Sequence, residues 1–358
     1  MSPPVSVIVN NFNYERYLAT AIESALSQDH ASVEVIVVDD GSTDGSREVI
    51  AGYDGRAKAI LKPNGGQASA MNAGFDASSG EIVIFLDADD FLESTAASSV
   101  ASAWVDGCAK VQYRLSIVDE DGDRLGAFPP PEVAMPSGDV VPLIAARGGY
   151  TTPVTSGNAY ARGVLDALLP IPEQDFRISA DGYLNFLAPF YGDVVSLEIE
   201  LGAYRRHSSN RWTLSGDVSE KALRAHVEHD LTRQRYVLET ARRRGRSMPQ
   251  DLALRDWGHV LHRLASLRLD RSAHPSDRDT RRGLAIAGVR AVRGSTGLAG
   301  AERIGYGGLI LALAAAPSWL VPWLVDWALA SRPRPAWLRL ARRALRKLTI
   351  RGGAGSVS

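Results

Sequence analysis

The ten residues Glu81-Ile82-Val83-Ile84-Phe85-Leu86-Asp87-Ala88-Asp89-Asp90 set five β-favouring apolar side chains directly before three carboxylates in four positions. A run of this kind, bounded by Ser79-Gly80 on one side and acids on the other, is expected to be a buried strand of a parallel sheet. Open α/β sheets bind ligands at the carboxyl ends of their strands. Asp87, Asp89 and Asp90 at that end concentrate negative charge that a hard cation such as Mg²⁺ or Mn²⁺ neutralises while it holds phosphate oxygens. A solvated acidic turn uses the same residues, and the ten positions alone do not choose between the two.

The preceding segments give that strand a context. Val5–Asn10 (VSVIVN) is a short apolar strand; Asn13 stands where a helix cap would, and Leu18, Ile22 and Leu26 predict an amphipathic helix over 14–28. Val33–Val38 (VEVIVV) is a second strand ending in Asp39-Asp40-Gly41-Ser42-Thr43-Asp44, followed by a helix to about Tyr53 and a third strand near 57–62. Asn64-Gly65-Gly66 forms a loop, 67–77 a helix and 81–86 the fourth strand. Short strands alternating with helices are the βαβ pattern of a sheet covered on both faces, so the fold class expected is α/β, a mostly parallel sheet flanked by helices.

The loops after these strands lack the glycine-rich signatures of common nucleotide sites. The dinucleotide signature G-x-G-x-x-G and the Lys-Ser/Thr phosphate loop are both absent. Polar and acidic residues stand there instead. Asp40 suits hydrogen bonds to a nucleobase or ribose and Phe12 suits stacking on the base; turn or helix-capping chemistry explains Asp40 as well, and core packing explains a lone Phe12 better. The run Asp119-Glu120-Asp121-Gly122-Asp123, followed by Pro129-Pro130-Pro131, is expected to be a hairpin turn and an extended linker, since it lacks the spacing of a calcium loop. Gly148–Tyr160 (GGYTTPVTSGNAY) suits either an acceptor pocket or a surface loop.

At 358 residues, with 45% apolar and 23% charged side chains, the chain has the composition of a globular protein and length for more than one structural part. Its one cysteine, Cys108, excludes an intrachain disulfide framework and a multi-cysteine zinc site. With no basic, apolar leader visible before the first strand, a cytoplasmic location is expected. The net charge of −1 hides an asymmetry: residues 1–210 hold 13 Lys and Arg against 29 Asp and Glu, and residues 211–358 hold 27 against 12. The second excess is nearly all arginine, which suits phosphate groups, an anionic surface or simply solvated helices.

Taken together, Val5–Asn13, Val37–Asp44, Asn64-Gly65-Gly66 with Asn72-Ala73-Gly74, and Gly80–Asp90 resemble in order and spacing the family 2 glycosyltransferases, inverting enzymes with a GT-A nucleotide-sugar-binding fold. The resemblance is close over residues 4–100 and weaker to residue 211. It implies that Asn10, Phe12 and Asp40 hold the nucleobase and that Asn64 belongs to the donor site. Asp87-Ala88-Asp89 falls on the family's D-x-D, with Asp87 touching ribose or metal and Asp89 the main metal ligand. Ser179-Ala180-Asp181-Gly182 falls where the family has an acidic pair before a helix, which makes Asp181 the general base; Ala180 departs from that pair. From the residues alone, Asp181 also suits an N-cap for a helix over 182–188. Tyr204–Asn210 (YRRHSSN) resembles a family segment whose histidine, here His207, lies near the diphosphate and metal.

The resemblance thus implies a divalent cation (Mn²⁺ or Mg²⁺), a nucleotide-diphosphate sugar, UDP favoured, and a glycan, lipid-linked or small-molecule acceptor, with no nucleic acid as partner. Polysaccharide, cell-surface glycan or glycoconjugate synthesis is the expected setting. The competing expectations are a non-catalytic sugar-nucleotide or glycan-binding module on the same fold and, less compatible with Asn10-Asn11-Phe12-Asn13, a nucleotidyltransferase.

The domains expected are 1–211, catalytic; 212–303, a helical extension; and 304–358, an apolar hairpin with a basic amphipathic tail. Ile304–Val325 is a 22-residue run without formal charge, broken by Gly305, Gly307, Gly308, Pro317 and Pro322. Trp319, Trp323 and Trp327 recur every fourth residue, which suits an interfacial belt or a packed hairpin. Between Arg332 and Arg351 stand eight basic residues and no acid. Peripheral contact with an anionic membrane surface is expected alongside the alternative of a buried hairpin with a solvated tail, and the long helices suit packing on the catalytic domain or homo-oligomer contacts.

Overall fold

The computed structural model describes residues 2–207, 219–295, 298 and 300–329. The chain begins β1 (Val5–Asn11), α1 (Glu15–Leu26), β2 (Val33–Asp40), α2 (Ser46–Ala51), β3 (Lys58–Lys62), α3 (Gln67–Asp76) and β4 (Ile82–Asp87). It continues through β5 (Phe91–Leu92), α4 (Ala96–Ala103), the hairpin β6 (Cys108–Val118) and β7 (Arg124–Phe128), α5 (Val141–Arg147), β8 (Asn158–Ala161), α6 (Arg162–Leu168), α7 (Asp181–Leu187) and β9 (Asp193–Arg205). The remaining helices are α8 (Glu220–Arg243), α9 (Trp257–Leu269), α10 (Arg281–Gly294), α11 (Gly300–Ala315) and α12 (Val321–Leu329).

Every residue of β1 is buried. Val5, Val7 and Val9 share a core cluster with Leu18, Ala21, Ile22 and Ala25 of α1. Ile8 points to the other face, where α3 lies so close that a Cβ on Gly74 would stand 2.3 Å from Ile8 Cγ2. Covered on both faces, the strand has no polar side to alternate with, hence its continuous apolar run.

One sheet runs in the order β3-β2-β1-β4-β8-β6-β9-β5, with β7 on β6. The first four strands pair in parallel, as expected. Beyond β4 the expectation of a mostly parallel sheet needs refining: β8 is antiparallel to both β4 and β6, and β5 to β9, while β6 and β9 are parallel. The strand that delivers the acids is thus where chain direction reverses, and neighbouring loops leave the sheet on both sides of its carboxyl end.

The expected helix cap at Asn13 is not formed. The helix begins at Glu15 after Tyr14, and Asn13, at φ +60°, accepts the Thr43 N–H with Oδ1 at 2.7 Å. Its short amide tolerates the left-handed conformation and spends its acceptor on the loop after β2.

The described residues divide between two compact units, one within the ranges 1–212 and 232–249, the other within 213–231 and 250–358. In the second, α9, α10, α11 and α12 surround Val260, Leu264, Leu284, Val292, Ile310, Leu313, Leu324 and Val325. Asp279 is buried there; Arg263 donates to it from Nε at 2.8 Å and Nη2 at 2.5 Å, and His274 Nε2 lies 2.8 Å from Oδ2. No helix among the described residues is long and apolar enough to cross a membrane. The basic segment 332–351 lies outside the described residues.

Candidate active site

Asp87 is the last residue of β4, in register with Asn10 at the end of β1. The chain then turns, with Asp90 N–H on Asp87 O at 3.0 Å, which sets Ala88 inward and three carboxylates around one bend. Asp90 does not face outward. Its Oδ2 accepts the Ser156 hydroxyl at 2.6 Å and its Oδ1 accepts Arg205 N–H at 2.9 Å, so it ties the turn to the loop before β8 and to the end of β9.

Asp87 and Asp89 remain for other work. Burial, then repulsion from Asp89 and Asp181, pushes Asp87 up to about 7, against donors from Gln67 and Thr155. Asp87 thus feels the charge of Asp89 in its own turn and that of Asp181 from the start of α7, a distant segment of the chain. Asp181 opens α7 without capping it: Ala180 is the N-cap residue, no side chain caps the helix, and Asp181 Oδ1 accepts the Ser179 hydroxyl at 3.2 Å. Burial raises the Asp181 carboxyl, opposed by Ser179, Gly182 N–H, Arg233 and Lys110. A carboxylate raised in this way is a stronger base near neutral pH.

His207 comes just after β9 and turns inward, with Nε2 2.9 Å from Asp89 Oδ2 and its ring between Tyr14 and Tyr17 at centroid distances of 5.6 and 5.3 Å. The rest of its motif, 208–210, lies outside the described residues. Carboxylate oxygen and imidazole nitrogen suit Mn²⁺, and oxygen suits Mg²⁺. The raised Asp87 marks a site short of positive charge. Among the described residues no three His, Cys, Asp or Glu side chains converge on one point. The chain therefore offers a partial donor set, of a chemistry that fits such an ion with oxygens of a ligand completing it.

On the other side of β4, Asn10 is 8% exposed, and neither its Nδ2 nor its Oδ1 has a partner. A buried amide left unpaired is destabilising by about 1–3 kcal/mol, which makes this one a candidate contact for a ligand. Phe12 lies two residues on and is half-buried. Asp40 is more heavily engaged: its carboxylate accepts Gly65 N–H at 2.9 Å, Gly66 N–H at 2.7 Å and Lys62 Nζ at 2.6 Å. Asn64 donates to Asp40 O at 2.9 Å and accepts from Arg177. Gly66 adopts φ +92°, where a Cβ would strike the Arg177 backbone, so glycine is required for the loop to dock there.

Several residues of the site give no sequence signal. Gln67 spans it: Nε2 donates to Asp87 Oδ1 at 3.1 Å, while Oε1 accepts Ala180 N–H at 2.9 Å. Lys110, fully buried in β6, donates to Asn185 Oδ1 at 2.7 Å, Thr152 Oγ1 at 3.0 Å and Tyr150 Oη at 3.1 Å, and burial holds its pKa well below the usual lysine value. Tyr150 and Thr152 come from Gly148–Tyr160, as do Thr155 and Ser156, so that segment is packed beside the acids and is not a surface loop. The Asp119 run is a turn, with Asp119 Oδ1 accepting Asp121 and Asp123 N–H.

Comparison with known proteins accords with this geometry. The family model of Glycosyl transferase family 2 matches residues 6–130. An uncharacterized glycosyltransferase of Nostoc sp. (strain PCC 7120) is 35% identical over 256 residues, covering 70% of this chain and 79% of that protein. The putative glycosyltransferase EpsH of Bacillus subtilis (strain 168) is 38% identical over 95 residues, 26% of this chain and 28% of its own length. Among solved structures, residues 1–349 of S. aureus TarS in complex with UDP-GlcNAc align with a TM-score of 0.51 at 16% identity over 91% of each chain, a likeness of fold.

Proposed function

The chain belongs to glycosyltransferase family 2, and we propose that it moves a sugar from a nucleotide-diphosphate donor, a UDP-sugar first among candidates, to an acceptor hydroxyl with inversion at the anomeric carbon. The observation that carries this reading is Asp87 at the end of β4, buried and acted on by the charges of Asp89 and Asp181, in register with Asn10, whose buried amide has no partner. The fold-level likeness to a protein solved with UDP-GlcNAc supports the choice of donor.

In this reading Asn10 and Phe12 receive the base, and Asp40 either reaches it through its remaining lone pairs or shapes the Asn64-Gly65-Gly66 loop beneath it. Asp87 and Asp89, with His207, would hold a divalent cation, which when bound supplies positive charge to the departing diphosphate. Asp181 Oδ takes the proton of the acceptor hydroxyl as its oxygen bonds to the anomeric carbon. The bond from that carbon to the diphosphate oxygen breaks, and the nucleoside diphosphate leaves with the electron pair. General-base assistance of this kind contributes about 10²–10⁴-fold. Gly148–Tyr160, beside Asp181 through Lys110, is the segment we assign to the acceptor.

A panel of UDP-, dTDP- and GDP-sugars with Mn²⁺ tests the assignment. Product formation or donor hydrolysis by the wild type, lost in Asp89→Ala, is expected. Absence of binding to every donor at millimolar concentration refutes it, and binding without turnover against any acceptor leaves a sugar-nucleotide-binding module.

A further inference from the structure

We propose that Arg177 is a positioning residue that ties the base-bearing segment to the donor loop, so that a nucleoside diphosphate seated on the loop also sets the carboxylate of Asp181. The inference rests on the reading of Asn64-Gly65-Gly66 as part of the donor site and of Asp181 as the base. Arg177 stands four residues before Asp181 and is exposed, yet its guanidinium turns to the loop. Nη1 donates to Gly65 O at 3.1 Å, and Nη2 donates to Asn64 Oδ1. The backbone follows: Arg177 O accepts Gln67 N–H at 2.9 Å, and Ala180 N–H donates to Gln67 Oε1 at 2.9 Å. Four hydrogen bonds thus form a seam between 177–180 and 64–67.

The two sides of this seam are supported differently. The loop rests on Asp40, whose carboxylate accepts Gly65 and Gly66 N–H and whose carbonyl accepts Asn64 Nδ2, so its shape does not depend on Arg177. The base segment needs the seam. Ser179 sits at φ +58°, a left-handed conformation unfavourable for a residue other than glycine, and its Oγ donates to Asp181 Oδ1 at 3.2 Å. Backbone in that region persists where its surroundings hold it. The bonds at Arg177 O and Ala180 N–H bracket Ser179, and both end on Gln67, which also reaches Asp87 Oδ1 at 3.1 Å. A planar fork on two acceptors of one loop fixes direction as well as distance, which a single ammonium cannot do. Order in the loop is thereby passed to the base.

Hydrogen–deuterium exchange of the full-length chain with UDP, GDP or dTDP and Mn²⁺ tests this coupling without turnover, alongside Arg177→Ala and Arg177→Lys. The position is exposed, so both variants should fold, which circular dichroism and thermal melting check. On binding, the wild type should slow exchange at 64–67 and at 177–182 together. Arg177→Ala should bind the diphosphate within about threefold of wild type, keep the protection at 64–67 and lose that at 177–182. With a donor that turns over, its kcat should fall about tenfold while KM changes less. Arg177→Lys, able to hold one acceptor and not two, should lie between. Binding that protects 64–67 and leaves 177–182 unchanged in the wild type overturns the proposal, as does Arg177→Ala with wild-type kcat and undiminished protection at 177–182. Absence of diphosphate binding by the wild type removes the donor-site reading itself, and this proposal with it.

Discussion

Two buried aspartates show how differently the two units treat charge. Asp279, in the helical unit, is enclosed by Arg263 and His274, whose hydrogen bonds outweigh burial and hold its carboxyl down at about 2. Asp87, at the end of β4, is pushed up to about 7 because burial is joined by the charges of Asp89 and Asp181, and its neutral donors Gln67 and Thr155 do not compensate. One carboxylate has its countercharge built in. The other is held short of it, and in this account the difference separates a group that maintains a fold from one that awaits a ligand.

Substitutions can break that contrast. The largest effect is expected at Asp87→Asn: activity should fall on the order of 10²-fold or more, while the ligand-free protein melts no lower than wild type, because a repelling charge has gone. A clear loss of thermal stability would show that Asp87 is structural. The converse is expected at Asp279→Asn, which leaves Arg263 without its partner and should destabilise the helical unit by about 3–5 kcal/mol. Chemical denaturation measures it, and an unchanged midpoint would contradict it.

Acid acts through Asp279 in the same direction. Its folded pKa of about 2 lies below the unfolded value, so its stabilisation is complete above the unfolded pKa near 4 and is lost as pH falls through 2. That part of the stability is about 2–3 kcal/mol. Denaturation midpoints between pH 6 and 2 should fall more steeply for wild type than for Asp279→Asn, and parallel curves would count against the pairing. The smallest effect is expected at Gln67→Ala, which cuts the link between Asp87 and the Ala180 N–H that precedes the base: kcat should fall about tenfold, with donor affinity changing less. An equal change in both would place Gln67 in donor binding alone.

Local physics decides which elements were legible in the sequence. β1, β2 and β4 announce themselves because strands covered on both faces are continuous apolar runs, and the carboxylates after β4 stand out against such a run. β9 does not, since Glu198 and Glu200 interrupt it and its partners β6 and β5 are far away in sequence. The reversal at β8 rests on a four-residue strand that carries no periodic signal. Asp87 was readable as an acid at the end of an apolar strand, where a buried charge needs a reason, whereas Asn10 and Asp181 stood out only through the resemblance to the family. Lys110 was not readable, because a lysine in a strand reads as solvent-facing until Tyr150, Thr152 and Asn185 are seen around it. Nor was the engagement of Asp40 by Lys62 and two backbone N–H groups, which depends on how a glycine loop folds back across 22 residues.

In the proposed reaction Asp181 removes a proton from an acceptor bound beside a sugar nucleotide. Asp181→Asn keeps the shape of the side chain and removes its basicity. Measured together by calorimetry with UDP-sugars and by product mass spectrometry, the variant should bind donor within a few-fold of wild type while transfer falls by about 10²–10⁴-fold. Transfer at the wild-type rate would remove Asp181 from the role of base.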